Sequence, residues 1–300
     1  MPVPLSKEFR QIARDRTSGA AQVALQAVTA VEAWIARHPD PDDAQLEDLV
    51  MRLLRLQPSM APLLRLANEV ALAADTGRPG TALERAVKDF RKQLEGAPRR
   101  IAKLFRAELD GEDRWPIALF SYSSTVVAAV TGARRRISST LTSECRPGME
   151  GLVSVARLSR AGVKVKLATD IGMLSQLQGT RAVLVGADAV LSHAFVNKIG
   201  TRMLYLRARE AGCPVWVLAD SSKLLPEGIA APFWRPSDGP ASELWPRPTQ
   251  RVQVLNPMFE HTELGDDIRV LTENGWLESG QVREAVEAIR ISPRLKRLAE

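Results

Sequence analysis

The sequence predicts an α/β protein, with a helical domain over residues 1–112 followed, over 113–300, by a mostly parallel sheet with flanking helices. Three observations carry this expectation. Apolar residues recur every three or four positions through the first hundred residues, as in helices with one buried face. After Arg114-Trp115-Pro116 the pattern becomes short apolar runs separated by helical stretches, the signature of strand-helix-strand units and a parallel sheet. Finally, 300 residues with 45% apolar and 25% charged side chains suffice for one large core or two modest ones.

In the first half, Val23, Ala27, Val31, Trp34 and Ile35 make one apolar stripe and Leu46, Leu49, Val50, Leu53 and Leu54 another. Breaks at His38-Pro39-Asp40-Pro41, Gln57-Pro58-Ser59 and Thr76-Gly77-Arg78-Pro79-Gly80 combine turn residues with proline near a helix start, which predicts four helices. In the second half the strand candidates are residues 117–120, 137–141, 163–168, 182–185 and 214–219. Between residues 226 and 250, proline, glycine and Trp234 and Trp245 mark an irregular surface excursion, with the tryptophans expected as packing anchors.

Composition excludes several function classes. No eighteen apolar residues run without a charge, and Met1-Pro2-Val3-Pro4 lacks the basic and apolar segments of a secretory signal, so the expectation is a cytoplasmic protein with no membrane partner. Cys145 and Cys213 are too few for a disulfide framework and too isolated for a metal site; no metal and no cofactor is expected. The +6 charge spreads over 41 basic and 35 acidic residues, with 5% aromatics and no stacking array or recognition helix, so nucleic acid is not an expected partner. No GxGxxG follows the first strand and no GxxxxGK[ST] occurs, which removes the usual glycine cradles for dinucleotides and triphosphates.

In such sheets ligands gather where strand carboxyl ends meet helix amino ends. The segment Val185-Gly186-Ala187-Asp188 followed by Asn197-Lys198-Ile199-Gly200-Thr201 is the most informative. It is expected to end a strand at Asp188 and open a helix at Asn197-Lys198, offering a carboxylate, an amide, an ammonium and helix-start N–H groups to a phosphorylated polyol. Ser123 and Lys223, in the loops after the first and fifth runs, are further ligand-binding candidates. Cys145, beside Arg146 and expected before a helix start at Gly148-Met149, would be favoured as a thiolate there, although a small polar loop residue is the simpler reading. His193, between Asp188 and Asn197, is a candidate proton shuttle.

These strings, GADAVLSHAFVNKIGT, SYSSTV at 121–126, ECRPGMEG at 144–151, TD at 169–170, ADSSKLLP at 219–226 and NPMFE at 256–260, resemble the initiation factor 2B-related superfamily. It contains the regulatory subunits of translation factor 2B together with ribose-1,5-bisphosphate and methylthioribose-1-phosphate isomerases. RTSGAA at 16–21 and PSMAPLLRLANEV at 58–70 agree more loosely. The resemblance implies a helical amino-terminal domain, a Rossmann-like carboxyl domain, a homodimer through the latter, and a sugar phosphate in the cleft between domains. It places Asp188 at the isomerases' catalytic aspartate, Ser18, Gly19 and Arg146 at phosphate contacts, and Asp170 at a position read as structural.

Two departures stand out. The isomerases' cysteine position is occupied by Tyr122, as in the translation-factor subunits, and Gln57, a ligand-binding candidate by the same resemblance, stands where the isomerases carry a phosphate-holding arginine. An amide cannot make the charge-assisted bidentate contact of a guanidinium. A phenol such as that of Tyr122 can donate a proton but is a poor base. The expectation is therefore a binder of phosphorylated sugars or nucleoside monophosphates without the usual isomerase chemistry. The alternative is an aldose–ketose isomerase, an intramolecular oxidoreductase, in which Asp188 works with a non-standard partner such as Cys145 or Tyr122.

Overall fold

The structure, a computed structural model, describes residues 7–15, 19–76, 79–109, 111, 113–236 and 238–300. Five helices open the chain: α1 (Lys7–Arg14), α2 (Ala20–Arg37), α3 (Asp43–Leu56), α4 (Ala61–Ala74) and α5 (Pro79–Glu108). Four were expected. The uncounted break falls between Arg14 and Ala20, where no proline marks it and Gly19, in extended backbone, starts α2. Asp42 and Gln45 start α3 with a reciprocal capping box, which satisfies two otherwise orphaned N–H groups.

There follow β1 (Trp115–Phe120), α6 (Ser124–Gly132), β2 (Ile137–Ser143), α7 (Gly151–Arg160), β3 (Val165–Ala168), α8 (Asp170–Leu174), β4 (Ala182–Val185), β5 (Ala189–Val190), β6 (Ala194–Lys198) and α9 (Thr201–Glu210). The chain ends with β7 (Val215–Leu218), α10 (Glu227–Phe233), α11 (Ala241–Leu244), β8 (Phe259–Glu263), β9 (Ile268–Thr272), β10 (Gly275–Leu277), α12 (Ser279–Glu287) and α13 (Pro293–Ala299). The expected α/β class, with a helical amino-terminal region and a mostly parallel sheet, holds.

Two compact units divide these elements. The first comprises residues 1–96, 222–235 and 284–300, the second 97–221 and 236–283; residue 113 lies inside the second. In the first unit α4 is apolar on nearly every face and packs against α2, α3 and α13. The last segment of the chain is tied there by polar contacts. Asn68 Nδ2 donates to Arg290 O at 2.9 Å, Asn68 Oδ1 accepts from Ser292 N at 3.0 Å, and the buried Arg294 guanidinium pairs with Asp43 at 2.6 Å. Trp234 is buried, its Nε1 donating to Ser59 O at 3.1 Å. Trp245 is 43% exposed, which corrects its expected packing role; it follows α11, four residues with no buried side chain.

In the second unit seven strands order as β10-β9-β7-β4-β1-β2-β3, parallel except for β10. The central β4 and β7 bury every residue and β1 all but Pro116, as strands covered on both faces must. Trp216 anchors the core, meeting Trp115 at 5.8 Å and Trp276 and Phe105 edge-on at 5.1 and 6.3 Å between ring centroids. A separate antiparallel sheet, β5-β6-β8, pairs Asn197 with Glu260 and Lys198 with Phe259. Asn197 and Lys198 thus end a strand and do not open a helix as expected. The helix α9 starts at Thr201, after Gly200 turns the backbone at φ +97° with the Phe120 ring packed beneath it. Among the described residues no helix is long and apolar enough to cross a membrane.

Candidate functional site

Strand order creates the candidate site. From β1 the chain steps to β2 and β3 on one side, then returns to place β4 on the other flank of β1 and continues outward to β7 and β9. The loops leaving the paired carboxyl ends of β1 and β4, in register at Phe120 and Val185, meet at the switch point of the sheet, where open α/β sheets place their ligands. One loop carries Ser121, Tyr122 and Ser123, the other Gly186, Ala187 and Asp188. A Cβ at Gly186 would stand 2.6 Å from Ser123 Cβ and 2.8 Å from Ser123 Oγ, so only glycine lets the two loops touch. Ser123 caps α6, accepting from Val126 N at 3.3 Å, and half-buried Asp188 donates its backbone N–H to Val196 O at 2.8 Å.

Backbone strain gathers at this edge of the sheet. Ser121, Cys145 and Met149 are non-glycine residues at φ 67°, 62° and 57°, a conformation costing each about 1–2 kcal/mol and common at functional sites. The loop after β2 is held from below: Asp170 accepts from Cys145 N at 2.9 Å and from Arg146 N at 2.7 Å. This is the structural role expected of Asp170, and it leaves the exposed Arg146 side chain at the protein surface.

Lys198 is fully buried, 2% exposed, and satisfied within the protein. Its Nζ pairs with Glu150 Oε1 at 2.8 Å and donates to Pro147 O, while Ser121 Oγ donates to the same carboxylate oxygen at 3.3 Å. Glu150 thus serves Lys198. Asn197, also buried, donates to Thr201 Oγ1 at 3.0 Å, so its side chain braces the β6–α9 turn, while that of Lys198 braces the loop after β2. Sequence reasoning missed Glu150 as a member of the site; the available signal was that a buried lysine requires a carboxylate. It missed Glu273 as well. That buried carboxylate accepts from Ser221 N at 2.9 Å and Ser221 Oγ at 2.5 Å, fixing the loop after β7.

Cys145 follows the simpler of its two readings, a packed loop residue, and not that of a reactive thiolate. Its thiol is completely buried, accepts from Ser121 N at 3.0 Å and lies 3.4 Å from Ser143 Oγ. Desolvation pushes its pKa up to about 12; hydrogen bonds from Ser143 and Ser121 act in the opposite direction and the Asp170 and Glu150 carboxylates raise it further. The thiolate alternative is therefore corrected to a neutral thiol. The helix expected at Gly148 starts only at Gly151, and a Cβ at Gly151 would meet Cys145 Sγ at 3.0 Å. Tyr122 packs against the core with Arg157 stacked 5.0 Å from its ring centroid. His193 is exposed and lines a cavity of about 350 Å³ with Glu263, Asp266 and Arg283. Cys213 is buried, and desolvation pushes its thiol up to about 11.

The remaining candidates belong to the first unit. Gln57 is buried, its Nε2 donating to Ile12 O at 2.7 Å and Asp15 O at 2.9 Å, so its amide ties the end of α3 to α1. Gly19 is exposed at the start of α2 and Lys223 is buried; Ser18 lies outside the described residues. Among the described residues no group of three or more histidine, cysteine or acidic side chains could hold a metal ion.

Comparison with known proteins agrees with this fold. Residues 16–279 match the model of the initiation factor 2 subunit family. A Pyrococcus horikoshii protein named a translation initiation factor eIF-2B subunit 2-like protein is 29% identical over 233 residues, covering 75% of this chain and 81% of its own. The ribose 1,5-bisphosphate isomerase of Archaeoglobus fulgidus is 25% identical over 266 residues, 86% of this chain and 84% of its own. In three dimensions the crystal structure of the Pyrococcus horikoshii translation initiation factor eIF-2B superposes with a TM-score of 0.73 at 24% identity, covering 91% of this chain and 98% of that one.

Proposed function

The chain belongs to the initiation factor 2 subunit family, and from that membership we propose that it binds a phosphorylated sugar or nucleoside monophosphate at the β1/β4 switch point without isomerising it. The observation that carries the reading is the state of the thiols. Aldose–ketose isomerisation needs one group to protonate the ring oxygen and another to manage the C1 and C2 hydrogens. Asp188 supplies one such group. The position where the family's isomerases resemble this chain but carry cysteine holds Tyr122, and the nearby Cys145 is buried, neutral and engaged by Ser121 and Ser143. In this reading Asp188 accepts from ligand hydroxyls, Arg146 pairs with a phosphate, and Ser123 and the strained Ser121 turn position the ligand between them.

The isomerase reading is supported by the retained Asp188 and by the likeness to the Archaeoglobus fulgidus enzyme. One experiment separates the two. A thermal-shift series with ribose 1,5-bisphosphate, methylthioribose 1-phosphate and nucleoside monophosphates gives saturable stabilisation, lost in Asp188→Ala and Arg146→Ala, with no ketose phosphate formed in a coupled assay. An unchanged midpoint with every ligand defeats the binding reading, and turnover establishes the enzyme.

We also propose that the second unit pairs with a second copy of the chain. Supporting this, α7, β3, α8 and α9 expose Leu152, Val153, Leu167, Ile171, Met203 and Leu206, with Ile171 78% exposed, an apolar set of the kind that marks an interaction face.

A further inference from the structure

The opposite edge of the same sheet carries a feature that the proposed ligand site does not use. Arg114 immediately precedes β1, Arg134, Arg135 and Arg136 immediately precede β2, and Arg106 lies near the end of α5. These five arginines, with Gly132 and Ala133, line one open cavity of about 490 Å³, in the size range of small-molecule sites. All five are exposed, and among the described residues no carboxylate lies within ion-pair distance of any of them. Arg91, Arg269 and Arg294, by contrast, each hold an acidic partner.

The cavity is partly ordered before any ligand arrives. Arg114 Nη2 donates to Ile137 O at 2.6 Å, and Arg136 Nη1 donates to Gly111 O. Each anchor uses one of the five N–H donors of a guanidinium and holds the rest of the fork in place. The carbonyl end of α6 offsets part of the positive charge, but five like charges around one concavity still repel and favour an anion of comparable charge. Phosphate groups match the guanidinium fork in shape. No aromatic side chain lines the cavity, so the stacking platform by which proteins hold single-stranded nucleic acid is missing.

We propose that this cavity binds a small anion carrying two or more phosphate groups. The probe is inorganic tripolyphosphate, titrated calorimetrically into the full chain at physiological ionic strength. Saturable one-site binding is expected. Affinity should fall at least about tenfold in Arg106→Glu/Arg135→Glu, and also, by less, in the neutral Arg106→Gln/Arg135→Gln, with unchanged circular dichroism and unfolding midpoint. Lys88→Glu/Lys92→Glu, the same charge change on exposed residues of the first unit, should leave it unaltered. Absence of saturation overturns the proposal, as does equal weakening by the lysine control, which would reduce the effect to net charge. Tighter binding of single-stranded RNA than of tripolyphosphate, abolished by the same arginine variants, would assign the surface to nucleic acid and overturn it too.

Discussion

Burial of Cys145 predicts a thiol that does not react in the folded protein. Its pKa rises from an ordinary 9.0 to about 12, so at pH 8 the thiolate fraction falls from roughly one in ten to roughly one in ten thousand. Iodoacetamide at pH 8, followed by residue-resolved mass spectrometry, should leave Cys145 unmodified over times that fully alkylate an unfolded control. Cys213, pushed up to about 11, should also be protected. The same rise has a pH consequence with a definite sign. A thiol harder to ionise in the folded state contributes stability that is complete below pH 9 and is lost as pH climbs towards 12. The full span corresponds to about 4 kcal/mol, of which about 1 kcal/mol is already lost at pH 10. Urea unfolding of the protein and of Cys145→Ser should therefore diverge in pH dependence above pH 9, with Cys145→Ser the flatter of the two. Alkylation of Cys145 at the unfolded rate, or parallel alkaline profiles, would refute the assignment of a neutral thiol and reopen the role of Cys145 as a relocated catalytic group.

Two other perturbations test the candidate site. Lys198→Met leaves Glu150 without its 2.8 Å partner; since the glutamate side chain keeps 26% exposure, the loss should fall below the usual buried-pair range, at about 2 kcal/mol. Adding Glu150→Gln should recover part of it, and a loss under about 0.5 kcal/mol in urea unfolding would remove the pair's structural importance. Gly186→Ala drives a methyl into Ser123 Cβ and Oγ, an overpacking expected to cost about 1–3 kcal/mol and to abolish ligand-induced thermal stabilisation. A Gly186→Ala protein that binds as before would show that the two loops do not shape the site.

Much of the fold was legible because the signals are local. Apolar residues three or four apart mark α2 and α3 wherever those helices pack, and unbroken apolar runs mark β1, β4 and β7 because both of their faces are covered. The break before α2 was missed because it carries no proline. The sheet β5-β6-β8 was missed because its strands are short and pair residues as distant as Asn197 and Glu260, so the same residues could be read as a helix start. Asp188, Ser123 and Arg146 could be named from their places after strand ends, and the family from the order of its motifs.

Residue type and local period, then, determined the class of fold, the strand-helix alternation and the set of polar residues available at strand ends, since each depends only on near neighbours along the chain. Tertiary structure alone decided what those groups are. It buried Lys198 against Glu150, moved Gln57 from ligand contact to the α1–α3 joint, neutralised Cys145, and drew Arg106 beside Arg134–Arg136. Charge state and partner depend on desolvation and on contacts between segments far apart in the chain, and neither quantity exists until the chain has closed upon itself.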